Sequence, residues 1–296
     1  MVGSETFGAG SCRATRSAGA SGPLGDHWQR HALQWESVGP PLRPGPEDVA
    51  IAERMVDRAR CHEGSESMRN ALLGVTPELV GMNWPTGSRL LSVDRSRRMI
   101  REILPRRAAA PVTPICASWL DMPLVNDCLD CVIGDGCFTV LENVEMHRRL
   151  WHELHRVLRP GRFLVIRLFV QPPERESVSA VFDDLAAGLI GSFHVFKWRL
   201  AMALHDNLDE GVCVSDIWGH WASAGVNAES LATRLNWPIR EVRTIEVYRG
   251  SPARYTFPTL EQARKVLAEC FDELACHVPE YELGDRCPTL LLAARD

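Results

Sequence analysis

The sequence predicts an α/β fold, a mostly parallel sheet with helices on both faces. Three observations predict it. Between residues 69 and 168, short apolar runs alternate with helical or crossover-length segments. The first run ends in the turn Leu72-Leu73-Gly74-Val75-Thr76-Pro77-Glu78, and the second, Arg89-Leu90-Leu91-Ser92-Val93-Asp94, ends in an acidic residue twenty positions after Gly74. A helical pattern at 143–158 then gathers Met146, Leu150, Trp151, Leu154 and Leu158 on one face, a stripe fit to lie against a sheet.

The elements follow in order. Residues 1–25 are rich in Ser, Gly and Ala, lack an apolar signal core, and read as a disordered leader. Residues 26–66 read as a helical cap. Trp28, His31, Ala32 and Trp35 recur at helical spacing, a stiff turn runs through Pro40-Pro41-Leu42-Arg43-Pro44, and a second helix from Pro46 to Arg60 has Ile51, Met55 and Val56 on its apolar side. Residues 67–175 hold the alternating core. Its later blocks are Ala117-Ser118-Trp119-Leu120-Asp121-Met122-Pro123, the apolar run Leu129–Gly136, and Val157–Ile166 with its Pro160-Gly161 turn. Residues 176–256 are too long for a simple crossover and read as a helical lid, with Phe182, Leu185, Leu189, Phe193, Phe196 and Leu200 as its recurring apolar positions. Within it, Ile239–Tyr248 is expected as a strand. Residues 257–296 supply a helix at Thr259–Cys270 and two strands at Phe271–Tyr281 and Pro288–Ala294.

Composition narrows the function. The net charge is −5 and no basic tail or stripe is present, so nucleic acid is not an expected partner. No apolar run approaches the ~20 residues of a membrane span. Ten cysteines are scattered through helix- and strand-like segments; this points to a reducing, cytoplasmic compartment. Cys128 and Cys131 form a CxxC without a matching second pair, and no metal site is expected. His147, His152 and His155 are read as solvent-facing helix positions.

The blocks from Leu72 to Ile166 resemble class I S-adenosylmethionine-dependent methyltransferases, and the Leu73-Gly74-Val75-Thr76-Pro77-Glu78-Leu79 turn resembles that of a bacterial branch of them. The resemblance implies a Rossmann-like, seven-stranded sheet closed by an antiparallel pair. It also implies S-adenosylmethionine as cofactor and S-adenosylhomocysteine as product.

Carried onto this chain, the cofactor site comprises Gly74, Thr76, Glu78, Asp94, Arg95, Met99, Ser118, Trp119, Asp135 and Gly136. Thr76 suits an N-cap, Pro77 the first helical position, and free N–H groups there could receive the cofactor's carboxylate. Asp94 ends the second strand, where a carboxylate can accept both ribose hydroxyls. Met99 could lie against the adenine. Ser118 stands where the family often has an acid, and Trp119 could stack on the ring. Asp121 with Pro123 reads as structural.

Asp135, flanked by Gly134 and Gly136, is the polar candidate nearest the reacting methyl. It and Tyr248 are the catalytic candidates. Trp35, Arg43, Arg249 and Tyr255 are the substrate-binding candidates, with an anionic group on the acceptor held by Arg43 or Arg249. Trp218, His220 and Trp221 form a polar-aromatic cluster in the lid. No Asn-Pro-Pro-Tyr block follows the fourth strand, so a small-molecule acceptor is expected, its nucleophile being O, N or S. A homodimer is left open. Two other readings stand beside this one: a non-catalytic methyltransferase-like protein that binds cofactor or acts as a scaffold, motivated by the single glycine of the turn, and an NAD-type oxidoreductase.

Overall fold

The computed structural model describes residues 23–63, 67–106, 108 and 110–296. The expected leader falls on residues 1–22, outside the described residues; residues 23–25 already belong to the first helix. In chain order the chain forms α1 (Pro23–Leu33), a 3-10 turn (Trp35–Ser37), α2 (Pro46–Glu63), β1 (Arg69–Leu73), α3 (Pro77–Val80), β2 (Arg89–Asp94), α4 (Arg97–Glu102), β3 (Val112–Cys116), β4 (Leu129–Asp135), α5 (Val144–Val157) and β5 (Leu158–Arg167). Then come α6 (Val178–Ala187), α7 (Phe193–Leu204), β6 (Val212–Cys213), α8 (Val214–Ser223), α9 (Ala228–Leu235), α10 (Ile239–Val242), a 3-10 helix (Arg243–Tyr248), β7 (Arg254–Tyr255), α11 (Leu260–Leu267), β8 (Phe271–His277) and β9 (Thr289–Ala294).

Seven strands form one sheet in the order β3-β2-β1-β4-β5-β9-β8. The pairs from β3 to β5 are parallel, and β9 runs antiparallel between β5 and β8. This is the Rossmann-like sheet with a closing antiparallel strand. Its central strands β1, β4, β5 and β9 are mostly apolar, as both their faces are covered, while the edge strands β3 and β8 are largely exposed. On one face, α5 and α11 bury Leu150, Trp151, Leu154 and Leu267 against Val132, Leu164 and Leu292. On the other, Ile51, Met55 and Val56 of α2 pack on Leu72, Ile133 and Val165. The second helix of the expected cap is therefore a layer of the core, and only α1 with the turn after it lies over the carboxyl edge.

Three local expectations differ. Ile239–Tyr248 is not a strand but α10 followed by a 3-10 helix. Its apolar residues Ile239, Val242, Ile245 and Tyr248 recur every third position, the spacing at which a 3-10 helix eclipses its side chains. His147 is buried, not solvent-facing: it adjoins the Leu150–Trp151 stripe, and its Nε2 lies 3.1 Å from the Phe138 carbonyl and 2.9 Å from Thr256 Oγ1. The lid also contains a two-stranded pairing, β6 with β7, too short to read from periodicity.

The lid has its own core. Phe193 and Phe196 pack with Trp221, and Trp198 makes edge contacts with Phe169, Tyr255 and Phe257. Among the described residues no helix is long and apolar enough to cross a membrane.

Candidate functional site

A cavity of about 160 Å³ opens at the carboxyl ends of β1, β2, β3 and β4 and is closed above by α1 and the lid. That is the crevice where an open α/β sheet holds its ligand. From the sheet edge come Gly74, Thr76, Asp94, Arg95, Ser118, Trp119, Asp135 and Gly136; α4 adds Met99. From the cap and lid come Trp28, His31, Trp35, Trp198, Tyr248 and Tyr255.

The first turn works with one glycine because of its neighbours. Gly74 has φ +101°, a conformation open to glycine and costly for other residues. Its N–H donates to the Val93 carbonyl and its own carbonyl accepts from Ser92 Oγ, which ties β1 to β2. A Cβ there would stand 3.7 Å from the Trp119 ring and 4.0 Å from Asp94 Oδ2, so the missing side chain leaves space between these two groups. The Trp119 indole N–H donates to Val93 O at 2.5 Å, which fixes the ring as a wall. Asp94 Oδ1 accepts the Ser96 amide at 2.6 Å. Burial raises the Asp94 pKa to about 6, against the opposing pull of that amide and Arg95.

Thr76 precedes α3, but its side chain makes no capping bond, and α3 is a single turn. Glu78, a cofactor candidate, does not line the cavity; its carboxylate pairs with Arg43 at 2.5 Å. Arg43 is correspondingly engaged. Its guanidinium donates to the carbonyls of Trp35 and Val38 and lies 4.9 Å from the Trp35 ring centre. It clasps the cap turn to α3 and does not line the cavity. Arg249 is exposed, lies over Trp218 at 4.5 Å and pairs with Glu246 at 3.5 Å, also away from the cavity. The structure thus brings neither arginine to the place an anionic acceptor would need. Both were drawn off by near neighbours, a carboxylate and an indole in each case.

Asp135 lies beside Arg167 in the β4–β5 register and accepts its Nε at 2.6 Å. Arg167 was not a sequence candidate, yet it is a hub. Its other nitrogens donate to Asp48 Oδ2 at 3.3 Å, Tyr281 Oη at 3.0 Å and the Pro41 carbonyl at 2.9 Å. Tyr281 in turn donates to Asp48 Oδ1. Burial pulls the Arg167 pKa down, but the carboxylates of Asp135 and Asp48 more than reverse this and hold it protonated. One signal was present: a single arginine within the apolar run from Phe163 to Val170 must be buried, and a buried arginine needs partners.

Tyr248 and Tyr255 both line the cavity and are hydrogen-bonded to each other; burial raises both phenols well above their usual range, so they stay protonated. The lid half also contains Thr139, Val140, Phe169 and Trp198, none of which periodicity could single out. Gly136, at φ +58°, admits the Phe169 ring so closely that a Cβ would stand 2.4 Å from it. His31 lines the cavity from α1, its ring 5.9 Å from that of Tyr248. Among the described residues no three His, Cys, Asp or Glu side chains are grouped to hold a metal ion, and the described cysteines are free thiols.

Comparison with known proteins bears on the class of the sheet-edge segment. Residues 74–166 match the model of a methyltransferase domain, a span running from the Gly74 turn to the end of β5. The match supports a class I S-adenosylmethionine-dependent methyltransferase and S-adenosylmethionine as its cofactor. No curated protein matches the chain. Among solved structures, the chain is similar to a Rhodobacter sphaeroides protein provisionally described as a Zn-dependent alcohol dehydrogenase, with 13% identity over 93% of this chain and 100% of that one and a TM-score of 0.62; this shows a shared fold. Weaker likenesses are to a SAM-dependent methyltransferase of Methanosarcina mazei (12% identity, 86% of this chain and 99% of that one, TM-score 0.49). Another is to the N-methyltransferase NodS of Bradyrhizobium japonicum in complex with S-adenosylhomocysteine (11% identity, 92% of this chain and 100% of that one, TM-score 0.48).

Proposed function

We propose that the protein transfers a methyl group from S-adenosylmethionine to a small-molecule acceptor. The observation that carries the reading is the juxtaposition at the sheet edge of a glycine turn, the Asp94 carboxylate and the Trp119 wall, within a span that matches a methyltransferase domain. When bound, S-adenosylmethionine supplies a methyl group on a sulfonium, which an acceptor takes by in-line displacement, leaving S-adenosylhomocysteine.

The chain's own residues bind and align. Asp94 offers Oδ2 to ribose hydroxyls while Ser96 holds Oδ1. Trp119 and Met99 bound the space for the adenine, and Ser118 is exposed at its rim. Asp135 reaches the cavity with one oxygen already taken by Arg167, which makes it an oriented hydrogen-bond acceptor and not a mobile base. Tyr248 and Tyr255 stay neutral and act as hydroxyl groups, not phenolates. The cap and lid keep water from the reacting atoms.

Calorimetry with S-adenosylmethionine, S-adenosylhomocysteine and NAD tests the reading. The first two should bind and NAD should not. Asp94→Asn should weaken S-adenosylhomocysteine binding by about 1.5–3 kcal/mol, the scale of a hydrogen bond to a charged group. In the unsubstituted protein, affinity should fall as pH drops below about 6, where Asp94 gains its proton, and the variant should lose that dependence. Equal affinity for NAD, or no effect of the substitution, would reject the assignment.

A further inference from the structure

The lid half of the cavity carries information about the acceptor that the cofactor half does not. Its walls are Phe169, Trp198, Tyr248 and Tyr255 with Trp28 and Trp35 from the cap side. Three of these rings already have a cation against them: Arg43 lies 4.9 Å from Trp35, Arg167 lies 5.0 Å from Phe169, and Lys197 Nζ lies 5.3 Å from Tyr248. None of the three cations lines the cavity. The attraction of these ring faces for positive charge is thus partly satisfied from outside, and a cationic acceptor would meet like charge across the rings. An anionic acceptor would fare no better. Arg43 and Arg167 are paired with Glu78, Asp135 and Asp48, and an unpaired anion in this wall would lose its hydration without compensation.

Besides Trp35 Nε1 of the half-buried cap residue, two unpartnered polar atoms of fully buried residues mark where a neutral ligand would be held. Thr139 and Trp198 both line the cavity and are buried, at 1% and 5% exposure, and neither Thr139 Oγ1 nor Trp198 Nε1 has a hydrogen-bond partner. A buried polar group left unpaired has lost its hydration without gaining a partner, so a ligand that pairs with it binds more tightly. Thr139 lies three residues past Gly136, at the β4 end of the cavity, and Trp198 faces it from α7. We infer that the acceptor is a neutral, planar, largely apolar molecule, one oxygen of which accepts the Trp198 indole N–H while another pairs with the Thr139 hydroxyl. The inference rests on the methyltransferase reading and names its acceptor class.

A matched set of probes tests it on the full chain saturated with S-adenosylhomocysteine: 4-hydroxyacetophenone (neutral), 4-hydroxybenzoate (anionic) and 4-hydroxyphenyltrimethylammonium (cationic), titrated by calorimetry at neutral pH. The neutral probe should bind at least about tenfold more tightly than either ion. Trp198→Phe, which keeps the ring and removes the N–H, and Thr139→Val, which keeps the shape and removes the hydroxyl, should each weaken it by about fivefold while S-adenosylhomocysteine affinity holds. Tightest binding of either ion, no binding of the neutral probe, or unchanged binding in both variants overturns the inference. Failure of S-adenosylhomocysteine itself to bind overturns the methyltransferase reading instead, and the first titration of each series shows which has failed. Should one variant lose S-adenosylhomocysteine binding through misfolding, the other and the charge series still decide.

Discussion

The sheet-edge half of the cavity presents Asp94, Arg95 and Ser118 beside Gly74, whereas the lid and cap half presents six aromatic rings, three of them with a cation against them that does not line the cavity. The first half offers polar atoms fixed to strand ends. The second offers mainly aromatic surface. The difference teaches that one cavity can separate two chemistries, and on the methyltransferase reading proposed above the polar atoms would serve the cofactor and the ring faces the acceptor.

The sharpest way to break this comparison is at the joint between the halves. Arg167→Met leaves Asp135 and Asp48 buried without their counter-charge and should destabilise the protein by about 3–5 kcal/mol, read from urea unfolding. Adding Asp135→Asn should restore part of the loss. A change below about 1 kcal/mol would mean that the two halves are held together by packing alone.

A smaller, pH-dependent effect isolates the lid half. Lys197 is fully buried, its ammonium donating to Thr244 Oγ1 at 2.7 Å; burial lowers its pKa to about 7 against the pull of Glu241. The unfolded chain keeps that proton up to the ordinary lysine value of 10.5, so between 7 and 10.5 the unfolded state binds more protons than the folded state. Stability from this group therefore rises with pH across that window and is lost as pH falls through 7. Unfolding midpoints at pH 7 and pH 9 should show a gain on the order of 2 kcal/mol, and Lys197→Met should abolish it. Equal slopes in the two proteins would place the proton elsewhere.

The smallest effect concerns the cap. Arg43→Gln removes the bond to Glu78 and the contact with Trp35, both partly exposed, and should cost about 1 kcal/mol in thermal unfolding with little change in S-adenosylhomocysteine affinity. A large loss of affinity would instead make Arg43 part of the binding surface.

The sheet-edge half was legible in the sequence because strands, turns and carboxyl ends leave local marks: a glycine after one apolar run, an aspartate at the end of the next, a helix stripe at Leu150 and Leu154. The lid half was not, because its members meet only in three dimensions. Thr139, Phe169 and Trp198 come from three separate segments, and each looks like ordinary core in its own window. Arg43 and Arg249 show the converse error. Their loops bring them near the right region, but position in a loop does not tell which neighbour will claim a guanidinium. The segment Ile239–Tyr248 carries a partial period of two, but its apolar residues Ile239, Val242, Ile245 and Tyr248 repeat every three, and that spacing prevails.

The Arg167 cluster also sets an order of events during synthesis. Asp48 and Tyr281, which share a hydrogen bond there, lie 233 residues apart. At ribosomal rates of 5–20 residues per second, Asp48 of α2 is made roughly ten seconds or more before its partner Tyr281 exists. Until Tyr281 emerges, Asp48 and the strand carrying Arg167 lack the phenol that locks them together. The lid rings from Phe169 to Tyr255 are made before Tyr281, and in that shorter interval the aromatic wall is open to a chaperone or to another unfinished chain.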